Sequence, residues 1–142
     1  MATATMDYSE TFLPQRARAR RISVARVFVR FAVLYALIGM GMGIYMGIAE
    51  DFTLRPAHAH INLLGWASTM LFALTYRAVP AMAESRLAIW HLAITTFGII
   101  GMTIAMPLYF YGQEWVHPII AVVMLAQMIG MSLFTLIVYR HF

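Results

Sequence analysis

The sequence predicts an all-α fold: a polytopic membrane protein with four transmembrane helices in an up-down bundle and both termini inside. Three observations predict it. Of 142 residues, 62% are hydrophobic, and mean hydropathy is +0.76, far above soluble norms. Only 11% are charged, and most of these lie in the N-terminal arm or between apolar runs. Four such runs each reach or exceed the ~20 residues that cross a ~30 Å hydrocarbon core.

The chain divides into a basic arm, residues 1–23, and a four-helix domain, residues 24–142. Residues 1–14 are mixed and polar and end at Pro14, which predicts a loosely held arm. From 15 to 30, arginine alternates with Ala, Val, Ile and Phe. That pattern suits either an amphipathic helix lying on headgroups before it turns inward or a solvated basic segment. The apolar run that follows is too long for a secretory signal, so the segment is expected to be retained.

The first span covers about Val24 to Ile48. Gly39, Gly43 and Gly47 fall four apart on one face, where another helix or a flat cofactor can approach the backbone closely. Glu50 and Asp51 end it. The second span covers about Ala57 to Tyr76, bounded by Pro56 and by Arg77 to Pro80. The third covers about Leu87 to Tyr111, and the fourth about His117 to Tyr139. Short loops predict antiparallel neighbours.

All ten basic residues besides histidine are arginine, and six of them (Arg16, Arg18, Arg20, Arg21, Arg26, Arg30) stand before or at the first span. With Arg77, Arg86 and Arg140 they fall on one side. That side is predicted cytoplasmic, in a bacterial-type inner membrane. The arm reads as an anchor to anionic lipid; with no folded reader beside it, nucleic acid is not an expected partner. Tyr76, Tyr109, Tyr111, Trp115 and Tyr139 are expected at the interfaces.

Absences narrow the function classes. There is no cysteine, hence no disulfide, thiolate metal site or thiolate-ligated haem. There is no glycine-rich phosphate loop, no Ser-His-Asp set and no carboxylate within a predicted span. A proton pump or ion-coupled transporter therefore fits poorly.

The candidate chemistry lies in Arg55-Pro56-Ala57-His58-Ala59-His60-Ile61-Asn62-Leu63-Leu64-Gly65-Trp66. An imidazole in hydrocarbon is costly without a partner, and a metal or haem iron is a strong one. On a helix, residues i and i+2 point ~200° apart. His58 and His60 are thus expected to serve two sites, or one serves a site while the other packs or caps. His117 opens the fourth helix at the same predicted depth. Pro118 after it suits the first helical position, so His117 is read as a cap residue or as a facing axial ligand. Arg55 suits either a haem propionate or Glu50 and Asp51. Asn62 is placed to orient the His58 imidazole or a carbonyl. Trp66, on nearly the same face, lines a ring edge or simply packs. His91, near the inner end of the third helix, is too deep to join them; Arg86, Glu84 or a lipid phosphate is its expected partner. Twelve methionines, including Met124, Met128 and Met131 near His117's stripe, suit Cu(I) but more commonly fill space between helices.

The run from His58 to Trp66, with Arg77 and Pro80 after it, resembles small four-helix membrane proteins related to the catalytic subunit of haem–copper oxidases and nitric oxide reductases. The resemblance covers residues 24 to 139 in helix pattern and is specific in the second helix. It implies twelve-helix relatives in three sets of four, with a His-x-His pair whose two histidines bind the low-spin and high-spin haems. By that resemblance His58 and His60 hold haem b, and three copies of this chain form a ring with haem clamped between His58 of one and His60 of the next. The adjacent histidine pair of the family's copper site and its tyrosine-linked histidine motif are absent here. The expected function is electron transfer or NO/O2 binding; if the chain is an enzyme, it is a haem-dependent oxidoreductase. The alternatives are a histidine/methionine copper-binding protein and an accessory structural subunit.

Overall fold

The computed structural model describes the backbone of residues 15–141 and the side chains of residues 24–141. The expectation for residues 1–14 lies outside the described residues. Everything described is helix, turn or irregular backbone, without a strand among the described residues. In order these are α1 (Gln15–Ala49), α2 (Arg55–His60), a π-helical segment (Ile61–Ser68), α3 (Thr69–Ala78), α4 (Pro80–Glu84), α5 (Arg86–Phe110), a 3-10 turn (Glu114–Val116) and α6 (His117–His141).

Three stretches are long and apolar enough to cross a membrane: Val24–Ala49, Arg86–Phe110 and Glu114–His141. The remaining predicted run, the second, is helical throughout but is not one α-helix. Its middle widens into the π segment between α2 and α3. Two local contacts accompany the change. At Gly65 an added Cβ would lie 2.7 Å from Cδ1 of Tyr35, so the glycine lets an α1 ring rest on its backbone. The Thr69 hydroxyl then reaches back to the Leu64 carbonyl, five residues earlier, at 2.8 Å, and to that of Gly65. A side chain inserted at the seam in this way accompanies a wider turn.

α1 also differs from expectation. The helix runs unbroken from Gln15 to Ala49, 35 residues, with no turn where the basic segment meets the apolar one. It stops at Glu50, whose φ of 53° is left-handed, and Asp51 then caps the following turn through Thr53. At the far end of α5, Gly112 takes φ 83° in the tight turn before the 3-10 element, a conformation glycine adopts without strain.

The helices alternate in direction. One core cluster joins Val24 and Phe28 of α1 to Phe72, Ala73 and Tyr76 of α3, Met82 and Ala83 of α4, Ala88 of α5 and Ile137 of α6. A second joins Ala57 of α2 to Met102 and Met106 of α5 and Val123 of α6, with Met42, Leu64 and Phe110 packed on it. Between them Tyr35, Ile61 and Ile99 meet. The start of α1 and the end of α6 therefore share one end of the bundle, and the three histidines near the starts of α2 and α6 share the other.

The bundle is not evenly closed. α5 packs along α6, and α1 packs along the π segment and α3. No Cα of Arg55–Ala78 comes within 8 Å of one of α6. Large side chains bridge that gap at one level: Phe134 lies 4.6 Å, centroid to centroid, from Phe72.

Candidate functional site at the histidine end

α2 begins with Arg55 and Pro56, the position where a missing N–H costs nothing, and its short helix carries both histidines. They face apart. His58 turns to α1, where an added Cβ on Gly43 would stand 3.1 Å from its Cε1. His60 instead lies one turn before Leu64, which packs against Ala57, Met102, Met106 and Val123. The divergence expected from the two-residue spacing is thus present.

Their nitrogens are engaged differently. His60 Nδ1 is 2.8 Å from the Pro56 carbonyl. A carbonyl only accepts, so Nδ1 carries the proton and the neutral ring keeps its lone pair on Nε2. His117 repeats the arrangement, with Nδ1 2.6 Å from the Glu114 carbonyl. Fixing one imidazole nitrogen by a carbonyl so that the other is free to ligate is how metal-binding histidines are oriented. His58 has no such bond. The Asn62 amide nitrogen sits 3.3 and 3.4 Å from its two ring nitrogens and donates to the His58 carbonyl at 2.9 Å. Asn62 itself occupies the space that Gly39 leaves, since a Cβ there would lie 2.5 Å from its Oδ1.

The glycine face of α1 thus receives His58 and Asn62 at Gly43 and Gly39, whereas nothing lies within 4 Å of a Cβ built on Gly47. Arg55 places its guanidinium 5.2 Å from the centre of the Phe52 ring instead of bonding Asp51. The Asp51 carboxyl is held by the Thr53 hydroxyl at 2.6 Å and the Thr53 N–H at 2.9 Å, and these bonds lower its pKa below the usual carboxylate value.

Two expectations change. His117 has helical φ and ψ, −50° and −51°, and follows the 3-10 turn without a break; it closes that turn and opens α6 as a helical residue instead of standing before it as an N-cap. Its ring meets Tyr109 edge-on at 4.9 Å. Trp66 is 45% exposed. His91 pairs with neither Arg86 nor Glu84. It is fully buried, 3.0 Å from the Tyr76 hydroxyl, inside a box of Phe28, Phe72, Tyr76 and Phe134. Tyr76 is itself only 2% exposed. No local signal reveals this pair, because its members lie on different helices; only the rarity of a histidine in an apolar run hints at it.

No group of three or more His, Asp or Glu side chains placed to share a metal ion occurs among the described residues. No family model matches the chain, and neither a curated protein nor a solved structure matches it. Fold and site together define a helical chain with three membrane-length helices and with His58, His60 and His117 at one end.

Proposed function

We propose that the chain is a haem b-binding integral membrane protein of four spans, acting in electron transfer or in binding NO or O2. The observation that carries the reading is the His60 ring: Nδ1 is tied to a carbonyl, and Nε2 keeps the lone pair an iron ligand needs. The donor chemistry fits haem better than a compact ion, since haem asks for one or two axial imidazoles where a protein-only site asks for three or four ligands. His58 and His60 hold the group, with His117 as a further donor. Arg55, free of Asp51, is the cation for a propionate, and Asn62 orients His58. Bound haem supplies reversible one-electron chemistry and a site for a diatomic ligand. The chain supplies the ligand orientation and a water-poor surround.

Because His58 and His60 face apart on one helix, a bis-histidine site takes one imidazole from each of two copies, and a ring of three copies is the first assembly to test. The Arg55–Ala78 rod supplies the second of the four spans: at ~1.5 Å per residue it reaches about the ~30 Å of a hydrocarbon core. Arg26, Arg30, Arg77, Arg86 and Arg140 mark the cytoplasmic side, which puts the paired histidines at the outer leaflet of a bacterial-type inner membrane and both ends inside.

The test is an absorption spectrum, a pyridine haemochrome assay and metal analysis of the protein extracted from its membrane, with the mass of the detergent complex. A Soret band that His60→Ala removes, in a complex of about three chains, is expected. A colourless protein sinks the haem reading, and copper without haem points to a different metal protein.

A further inference from the structure

Toward the other end of the bundle from the paired histidines lie two titratable side chains that the haem reading leaves unused. Tyr76 is 2% exposed and His91 is wholly buried, and the Tyr76 hydroxyl stands 3.0 Å from His91 Nδ1. The direction of that bond follows from what it leaves unmade. His91 Nε2 is buried without a hydrogen-bond partner among the described residues. If the phenol donates to Nδ1, only the Nε2 proton goes unpaired; if the imidazole donates, the phenol proton and the Nε2 lone pair both do. The first arrangement costs less, so the phenol proton is already aimed at a nitrogen base. Around that base stand Phe72, Phe28 and Phe134, with ring centres 4.7, 5.1 and 5.3 Å away. All three are within the ~6 Å at which an aromatic ring attracts a cation, so the box that holds a neutral imidazole can also hold an imidazolium.

We propose that Tyr76 is a redox-active tyrosine with His91 as its proton acceptor. A one-electron oxidant of the metal-complex class takes an electron from the phenol. The Tyr76 O–H bond breaks as an N–H bond forms at His91 Nδ1, which leaves a neutral phenoxyl radical beside an imidazolium. When an electron returns, the proton goes back to the oxygen. Losing the electron alone would leave a charged phenol in an apolar box; a base at hydrogen-bond reach removes that obstacle. No water or ligand has to enter, so the burial that closes the pair to solutes protects the radical. Rings also lead away from it. Phe28 lies parallel to Tyr76, 6.0 Å between centres. Phe31 and Tyr35 follow on the same face of α1, 6.2 Å apart, and Tyr35 rests on Gly65, nearer the histidine end. The proposal does not rest on the haem reading, since neither member of the pair is a ligand named above.

The test uses the full chain in detergent. It has no cysteine, so Arg140→Cys takes a tethered ruthenium tris-bipyridine one turn from Ile137, which packs in the Tyr76 cluster. A flash with persulfate as terminal electron acceptor makes the oxidising ruthenium(III), and ascorbate added before freezing clears radicals on exposed side chains. Expected is a phenoxyl signal in electron paramagnetic resonance that survives ascorbate. It should vanish in Tyr76→Phe, form about a hundredfold more slowly in His91→Phe, and stay unchanged in Tyr139→Phe, whose tyrosine is 84% exposed. No surviving phenoxyl signal, a signal retained in Tyr76→Phe, one lost in Tyr139→Phe, or an unchanged rate in His91→Phe each overturns the proposal and leaves the pair a packing contact. Should Tyr76→Phe or His91→Phe fail to fold, the intact pair decides. With histidine labelled with heavy nitrogen, the surviving radical should couple to an imidazole nitrogen, and a radical without that coupling overturns the proposal.

Discussion

At Gly43 one hydrogen atom decides where His58 goes. A Cβ there would meet the ring at 3.1 Å, while one on Gly47 meets nothing within 4 Å. Gly43→Val is therefore expected to displace the ring and cost about 1–3 kcal/mol by overpacking. Gly47→Ala should leave stability unchanged or raise it by up to about 1 kcal/mol through helix propensity. Thermal unfolding followed by circular dichroism separates the two. The buried Tyr76–His91 pair gives a sharper test. Tyr76→Phe strands a buried nitrogen at a cost of about 1–3 kcal/mol, whereas Tyr76→Phe with His91→Phe removes both polar partners and should recover part of that loss. Asp51 supplies a pH dependence. Its folded pKa is depressed by Thr53, so the contribution is present above the unfolded carboxylate value and is lost as pH falls through the folded one. Amide exchange at Thr53 should quicken below that range in the wild type and show no such step in Asp51→Asn. The divergence of His58 and His60 was legible in the sequence, because a two-residue spacing on a helix has only one outcome. The Tyr76 bond to His91 was not, since it depends on how α3 and α5 happen to face.

Among the elements, the seam between α5 and α6 rests on three glycines. Cβ atoms on Gly98, Gly101 and Gly130 would run into Gln127, Val123 and Thr95 respectively, and at Gly98 the Val123 backbone carbonyl lies 3.2 Å away. A side chain can rotate aside and a backbone cannot, so Gly98→Leu should pry α6 from α5. The chain has no cysteine, so Val123→Cys, buried in the parent fold, can report it. Maleimide should label that thiol in the Gly98→Leu background and not in the parent. The helix limits of α5 and α6 were readable to within about two residues, since long apolar runs ended by charged and turn residues leave little choice. The π segment was not. Ile61-Asn62-Leu63-Leu64-Gly65-Trp66-Ala67-Ser68 looks like any apolar helix, and its widening goes with Tyr35 resting on Gly65 and Thr69 bonding backward.

For the molecule as a whole, composition announced helices and apolar faces, and hydropathy ran far ahead of what the fold itself hides. Ile44, Ile48, Leu63, Ile104 and Tyr139 are each more than 60% exposed, as expected of a surface meant for hydrocarbon. What no periodicity revealed was the uneven closure, because every helix here is apolar nearly all round and none declares which side faces its neighbours. The unbroken α1 has a consequence of its own. Thirty-five residues at ~1.5 Å each make a shaft of about 52 Å, well beyond a ~30 Å core. A helix of that length exceeds what such a core can hold along its normal, so a crossing α1 has several turns left over for the water side.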